Sequence, residues 1–481
     1  MSFFAMRPRR PVLVLLSIGL ALVWVYVLDQ SVYGGAYTAA GYRKVQGIAG
    51  HQSALAAEGA ARRLQAMMDQ PSSQHNISAK AEHGALFTSL LEVLNADQSL
   101  DRHPFLDLLQ RDYPWLRPGP PMYLPWSSPT ANDDKETATG IVICVGTKTF
   151  IYAAHLIGTL RNVLGSTLPI QIAYAGDDDL PQAQRAQLIS LGEEIETLDL
   201  LTVFDGQDIG LNQGGFALKP FAMLASHFHR VILMDADIIF IQKPDDIFET
   251  SPGLIETGTL FWHDRAQARR PSEDRREWVL DLLGGREPSR MLSQSLFWES
   301  DLSGEMESGV VCADKGRPGV FMSLIFAAWM NTDQGGKPQL YAHSYGDKES
   351  YWIAAELMGT PYYFEPDYAG NIGFLEQDDK GRDRVCSSNV AHTDSRRRPF
   401  WFNGSIRFSK EYGGRDFTNL THWMSGAEDW PEPCHWDYLD PGLWCYRGCT
   451  LFPLETSRYK HDLDGLLREA HRLDVQFLGG V

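Results

Sequence analysis

The stretch Arg230-Val231-Ile232-Leu233-Met234-Asp235-Ala236-Asp237 decides how the rest of the chain reads. Its apolar, partly β-branched run is the pattern of a buried strand, and it ends in two carboxylates one residue apart. Alternate side chains of an extended chain project the same way, so the spacing predicts that Asp235 and Asp237 reach one hard cation at the strand end. A cation held there can bridge a diphosphate and neutralise its charge as it departs. An Asp-x-Asp triplet alone is equally a solvated turn. The apolar strand before it favours the metal reading.

Working outward, Gly214-Gly215-Phe216-Ala217-Leu218-Lys219-Pro220 leads into a helix-like stretch, Phe221 to Phe228, that feeds the strand. Lys219 is a candidate contact to donor phosphate or sugar, or simply a lysine near a helix start. Further upstream, Gly140–Val145 reads as a strand, Ile151–Leu164 as a helix and Ile170–Tyr174 as a second strand before the Gly176–Asp179 turn. Strand, helix, strand in that order predicts a βαβ unit and a parallel sheet. Ligands of such sheets sit at the carboxyl ends of the strands, which places Gly146, Thr147 and Lys148 against a nucleotide, although that loop matches neither a P-loop nor a dinucleotide fingerprint.

Downstream, Gly258–Arg265 mixes aromatic and polar groups, as carbohydrate sites often do. Glu307-Ser308-Gly309 precedes another apolar strand, and Gly346-Asp347-Lys348-Glu349 precedes a helix-like Ser350–Met358. Each pairs a carboxylate with a tight backbone, and each is also compatible with an ordinary turn. His392, in Val390-Ala391-His392-Thr393-Asp394, is a candidate third metal ligand or a structural histidine.

At the level of the whole chain, 481 residues with 44% hydrophobic composition suffice for one large α/β domain with appendages. A formal net charge of -18 excludes a general polyanion binder, so nucleic acid is not an expected partner. The short basic islands Arg396–Arg398 and Arg269-Arg270 either meet a diphosphate or face solvent. Pro11–Leu28 is uncharged and long enough to cross a bilayer, and Arg7, Arg9 and Arg10 precede it. This predicts a cytosolic tail at 1–10, a signal anchor at 11–28 and a type II orientation; a cleaved signal peptide is the other reading. Residues 29–130 are expected to form a stem and linker, ending in the proline-dense Tyr113–Pro129, with a catalytic domain at 138–425 and a C-terminal extension at 426–481. Three sequons begin at Asn76, Asn403 and Asn419. Cys434, Cys445 and Cys449, with Cys386, are read as structural disulfides rather than a zinc site, and Cys144 and Cys312 as buried free thiols.

In order, Leu168-Pro169-Ile170, Lys219-Pro220-Phe221, Leu233–Asp237, Glu256–Trp262, Glu307–Gly309, Gly346–Glu349 and Phe400–Gly404 resemble the fungal Golgi α-1,3-mannosyltransferases, glycosyltransferase family 71. The resemblance covers roughly residues 140–423. It implies an α/β fold of GT-A type, a nucleotide-sugar-binding domain with a mixed, mainly parallel sheet preceded by one N-terminal transmembrane helix, in the Golgi membrane with the catalytic domain lumenal. It further implies GDP-mannose as donor, Mn²⁺, retention of configuration, and a mannose-terminated glycan or glycoprotein acceptor. Asp235 and Asp237 would bind the metal with His392, Lys219 would approach the donor, and Asp347, Glu349 and Glu307 would be the catalytic carboxylates. No covalent intermediate is assigned; front-face attack assisted by the leaving diphosphate is the working mechanism. A retaining UDP-sugar transferase of glycogenin-like type and a non-catalytic glycan-binding scaffold are the competing readings. A glycosidase is disfavoured because its two carboxylates must flank a bond.

Overall fold

The strand expected at 230–235 runs down the middle of a seven-stranded sheet. This computed structural model describes residues 76–97, 100–126, 139–205, 209–267, 274–407, 416–425, 435–440, 443–448 and 450–479, with scattered positions between 55 and 69. The sheet is built from β1 (Thr139–Cys144), β2 (Ile170–Tyr174), β3 (Ile195–Asp199), β4 (Arg230–Asp235), β6 (Thr259–His263), β7 (Met306–Asp314) and β8 (Phe364–Glu365), in the order β3, β2, β1, β4, β7, β6, β8. Pairing is parallel from β3 to β4, antiparallel on both sides of β7, and parallel again between β6 and β8. This is the α/β, mixed and mainly parallel sheet expected. Its central strands are apolar on both faces, because helices or further strands cover each side. Gly140 is needed where β1 passes Phe228, since a Cβ there would come within 2.3 Å of the ring.

Helix α3 (Phe150–Asn162) follows β1 as expected, and α4 (Leu218–Ala225) precedes β4. The latter begins and ends three residues earlier than the periodicity suggests. Pro220 sits in its first turn, where the missing N–H has no intrahelical partner to lose, and buried Lys315 donates from Nζ to the carbonyl of Ser226 just past its end, at 2.6 Å. After β4 the chain does not stay extended. It turns at Ala236–Asp237 into β5 (Ile238–Phe240), which leaves the main sheet to pair with β12 (Pro399–Asn403) and, beyond it, β11 (Val390–Thr393). The two aspartates are therefore related by a turn, not by the alternation of a strand.

Two boundaries fall elsewhere than the sequence suggests. Helices α1 (Ile77–Ala96) and α2 (His103–Asp112), inside the range read as stem, pack into the main core through Phe87, Leu90, Leu91, Phe105 and Leu109. Helix α1 lies against α6 (Pro318–Met330) and α7 (Ser350–Met358), and α2 packs on α1. At the other end, the division at 425/426 cuts a six-stranded sheet: β13 (His422–Ser425) pairs with β16 (Thr450–Pro453), and β10 (Asp383–Ser387) with β15 (Leu443–Arg447). Helix α8 (Lys460–Leu478) then packs on α3, where Asp474 joins His155 at 2.9 Å and Arg407 at 2.7 Å. Cys386 and Cys445, facing each other across β10 and β15, form a disulfide, and Cys144 and Cys312 are free thiols. Cys434 and Cys449 lie outside the described residues, as do 1–10 and Pro11–Leu28. Among the described residues no helix is long and apolar enough to cross a membrane.

Candidate active site

At the carboxyl end of β4, Asp235 lies opposite Cys144 of β1, and the side chain that meets it is Lys219 from α4. The Lys219 ammonium is 3.1 Å from Asp235 Oδ1 and 3.1 Å from Asp347 Oδ1, and it donates to Ser308 Oγ at 2.9 Å and to the Ser308 carbonyl at 3.2 Å. Only 3% exposed, Lys219 is not turned to a donor in solution but tethers the two carboxylates. Burial alone would lower its pKa, yet Asp235 and Asp347 raise it above the ordinary lysine value. Asp347 is fully buried and also accepts from Tyr351 Oη at 2.9 Å. Burial pushes the Asp235 carboxyl up, against the pull of Lys219 and with added repulsion from Asp237 and Asp347. A site with more carboxylate than cation favours a further positive charge.

Beside it lies a second charged group. Glu307, on β7, accepts from Asn403 Nδ2 at 2.9 Å, from the Gly309 N–H at 3.0 Å and from Lys348 Nζ at 2.7 Å. Lys348 also donates to Asp264 at 2.9 Å. Burial would raise the Glu307 and Asp264 pKa values, but Lys348, joined by His392 at Glu307 and by Arg265 at Asp264, holds both carboxyls below the usual range. His392 is buried and stacked on Trp401, ring centroids 4.0 Å apart, and neither ring nitrogen has a hydrogen-bond partner. Burial pushes its pKa down to about 3, so the imidazole is neutral, the form that ligates metal.

The expected residues thus fall into groups. Asp235, Lys219 and Asp347 come together, with Asp237 across the turn; Glu307 and His392 come together with Lys348 and Asp264. Asp235, Asp237 and His392 do not converge: among the described residues the one trio of ligand atoms within 4.8 Å of each other is Glu376, Cys386 and Cys445, and its sulfurs are spent in the disulfide. Glu349 points away. Its Oε1 accepts from the Glu305 N–H at 3.1 Å and its Oε2 from Trp352 Nε1, while burial pushes its pKa up to about 7. Gly146, Thr147 and Lys148 form the β1–α3 loop beside Asp179; Thr147 donates to the Asp179 carbonyl from N and Oγ1 at 2.8 and 2.9 Å. A Cβ on Gly146 would meet Asp179 Oδ1 at 2.5 Å. Thr147 and Lys148 are exposed. The sequence assigned no site role to Lys348, Asp264, Ser308 or Asn403, though all four lie inside quoted motifs. Their opposite charges and hydroxyl were the available signal.

The match of a family model described as "Mannosyltransferase putative" runs over residues 138–394, from β1 through the end of β11. The chain belongs to this mannosyltransferase family. The mannosyltransferase span contains every charged group of the site and stops short of Trp401 and Asn403. Alpha-1,3-mannosyltransferase MNT3 of Saccharomyces cerevisiae is 28% identical over 50% of this chain and 42% of its own length, and MNN1 of the same yeast is 25% identical over 59% and 43%. The chain thus spans less than half the length of these curated relatives. Among solved structures, core-mannan synthase A from Aspergillus fumigatus, in its Mn/GDP form, superposes with a TM-score of 0.33 at 9% identity, over 52% of this chain and 79% of that one.

The residues present suit a divalent cation. Asp235 and Asp237 offer carboxylate oxygens in acid-rich surroundings, whereas the unused nitrogens of His392 do not reach them in this arrangement. Carboxylate oxygen is the donor that suits Mg²⁺ and Mn²⁺.

Proposed function

We propose that this mannosyltransferase-family chain transfers mannose from GDP-mannose to a mannose-terminated glycan in α-1,3 linkage with retention, as a type II Golgi membrane protein anchored by Pro11–Leu28. The observation that carries the reading is the Asp235–Lys219–Asp347 cluster at the end of β4, inside the family span. Asp235 and Asp237 are the residues that would hold Mn²⁺; His392, whose nitrogens have no partner, would join them only after a movement that brings it to the pair. Such a cation, when bound, neutralises the charge that develops on the departing diphosphate. The acceptor hydroxyl oxygen bonds to the anomeric carbon as the carbon–diphosphate bond breaks; GDP leaves with the electron pair and takes up the hydroxyl proton. Lys219 fixes the two carboxylates against each other, and Lys348 holds Glu307 and Asp264 ionised beside them. The Gly146–Lys148 loop lies where a nucleotide would run along the strand ends.

The test is a donor screen on the chain from Ala57 onward, with Mn²⁺ and α-mannoside acceptors, GDP-mannose set against UDP-glucose, UDP-galactose and UDP-xylose, and Asp235→Ala as control. Transfer from GDP-mannose that disappears in the control supports the reading. Transfer from a UDP-sugar alone would overturn the donor, and binding without turnover would point to a glycan-binding scaffold.

A further inference from the structure

A cavity of about 240 Å³ lies behind the site, between α5 (Ile247–Thr250), β6, β8 and the β11–β12 hairpin. His263 turns to Glu305, at 2.8 Å, whereas the preceding Trp262 turns its ring to Trp401 and lines the cavity with Phe400. At its wall stands Glu365, 2% exposed: Oε1 accepts from Ser251 at 3.4 Å and Oε2 has no partner. A buried carboxyl oxygen left so is costly, and an occupant that supplies a hydrogen-bond partner would satisfy it.

The lining is mixed in sign. Lys243, Arg396 and Arg398 face Asp246, Glu365 and Asp394, with Arg398 Nε on Asp394 at 2.8 Å. An anion would meet Asp246 and Asp394 and a cation would meet Arg396, but a hydroxyl both donates and accepts and so satisfies the charged lining and Glu365 alike. Below the roughly 300–1,000 Å³ of drug-sized pockets, the volume suits one sugar ring. The place is also pertinent. One hairpin carries His392 into the active site and Asp394, Arg396 and Arg398 to the cavity, and Trp401 stacks on His392 while meeting Trp262 edge-on at 5.3 Å.

We propose that this cavity is a second saccharide site, seating one residue of the acceptor glycan away from the sugar being extended. That the ligand is a mannoside rests on the proposed function. Two exposed lining positions test it without touching the core: Thr250→Trp fills the mouth and Arg396→Ala removes a rim donor. Saturation-transfer NMR with methyl α-mannopyranoside, without nucleotide sugar, is expected to show binding that weakens about tenfold in each variant, with melting temperatures unchanged. In turnover, Thr250→Trp should raise KM for an oligomannoside with kcat unchanged. Equal mannoside binding in wild type and Thr250→Trp would overturn the site, as would binding of inorganic phosphate in place of the mannoside. A wild type that transfers no sugar yet binds mannoside in the Thr250-dependent way would sink the proposed function and leave the saccharide site standing.

Discussion

Lys219 shows how one buried cation organises a site. Replacing it with methionine leaves Asp235 and Asp347 facing each other without compensation, and loss of one partner from a buried ion pair typically costs about 3–5 kcal/mol. We expect Lys219→Met to lose that stability in urea denaturation and to abolish transfer; a cost below about 1 kcal/mol would show that the cluster relaxes at little expense. Glu365 makes a separate prediction. Burial, then Asp394 and Asp367, pushes its pKa up from 4.5 to about 8, against the hydrogen bond from Ser251. A folded-state acid with raised pKa contributes stability that is fully present below pH 4.5 and is lost as pH rises towards 8, because the unfolded chain releases its proton first. The loss is roughly 3–5 kcal/mol. Glu365→Gln should therefore be near-neutral at pH 4.5 and raise the melting temperature at pH 8; an equal effect at both pH values would count against the buried neutral acid. Lys219 also marks what a sequence hides. Its place beside the acidic strand end was legible, but its direction, away from any donor and into two carboxylates, depended on Asp347, far along the chain.

Among the elements, α1 and α2 contradict the stem reading most plainly. Ala-, Gln- and Ser-rich stretches between Ser31 and Asp112 suggested a spacer, yet Ile77, Phe87, Leu90, Leu91, Leu94, Phe105 and Leu109 are all buried in the main core. At about 1.5–3 kcal/mol for each such side chain, their burial rivals the whole stability of a domain, about 5–15 kcal/mol. Lys80 adds an ion pair to Asp112 at 2.9 Å, tying the two helices together. A chain beginning at Ser127, the natural cut if residues 29–130 were a stem, is expected to aggregate, while one beginning at Ala57 should be soluble and unfold cooperatively; a soluble, cooperative chain from Ser127 would refute the packing argument. The central strands were legible because their apolar runs are buried on both faces and bounded by turns. The turn at Ala236–Asp237 was not, since its cause is the pairing of β5 with β12, more than 150 residues later.

For the molecule as a whole, the three sequons connect the fold to the compartment. Asn403 donates its Nδ2 to Glu307 at 2.9 Å, so a glycan on that nitrogen would leave it a single N–H and crowd the contact that steadies the second charged group. Asn419 is exposed in the segment before β13. Asn76 is exposed at the start of α1, where its Oδ1 accepts from the Ala79 N–H at 3.1 Å, a capping bond that a glycan on Nδ2 leaves intact. A body carried into the secretory lumen, as the proposed anchor requires, should then bear glycans at Asn76 and Asn419 and none at Asn403. Glycopeptide mass spectrometry before and after enzymatic deglycosylation reads this directly. Absence of glycan at both exposed sequons would argue against a lumenal body whatever the enzyme's donor, whereas occupancy of Asn403 would count against the close Asn403–Glu307 contact. The second outcome carries its own check, because Asn403→Asp sets a carboxylate against Glu307 and should then leave transfer unaffected, instead of lowering it as the bonded arrangement requires.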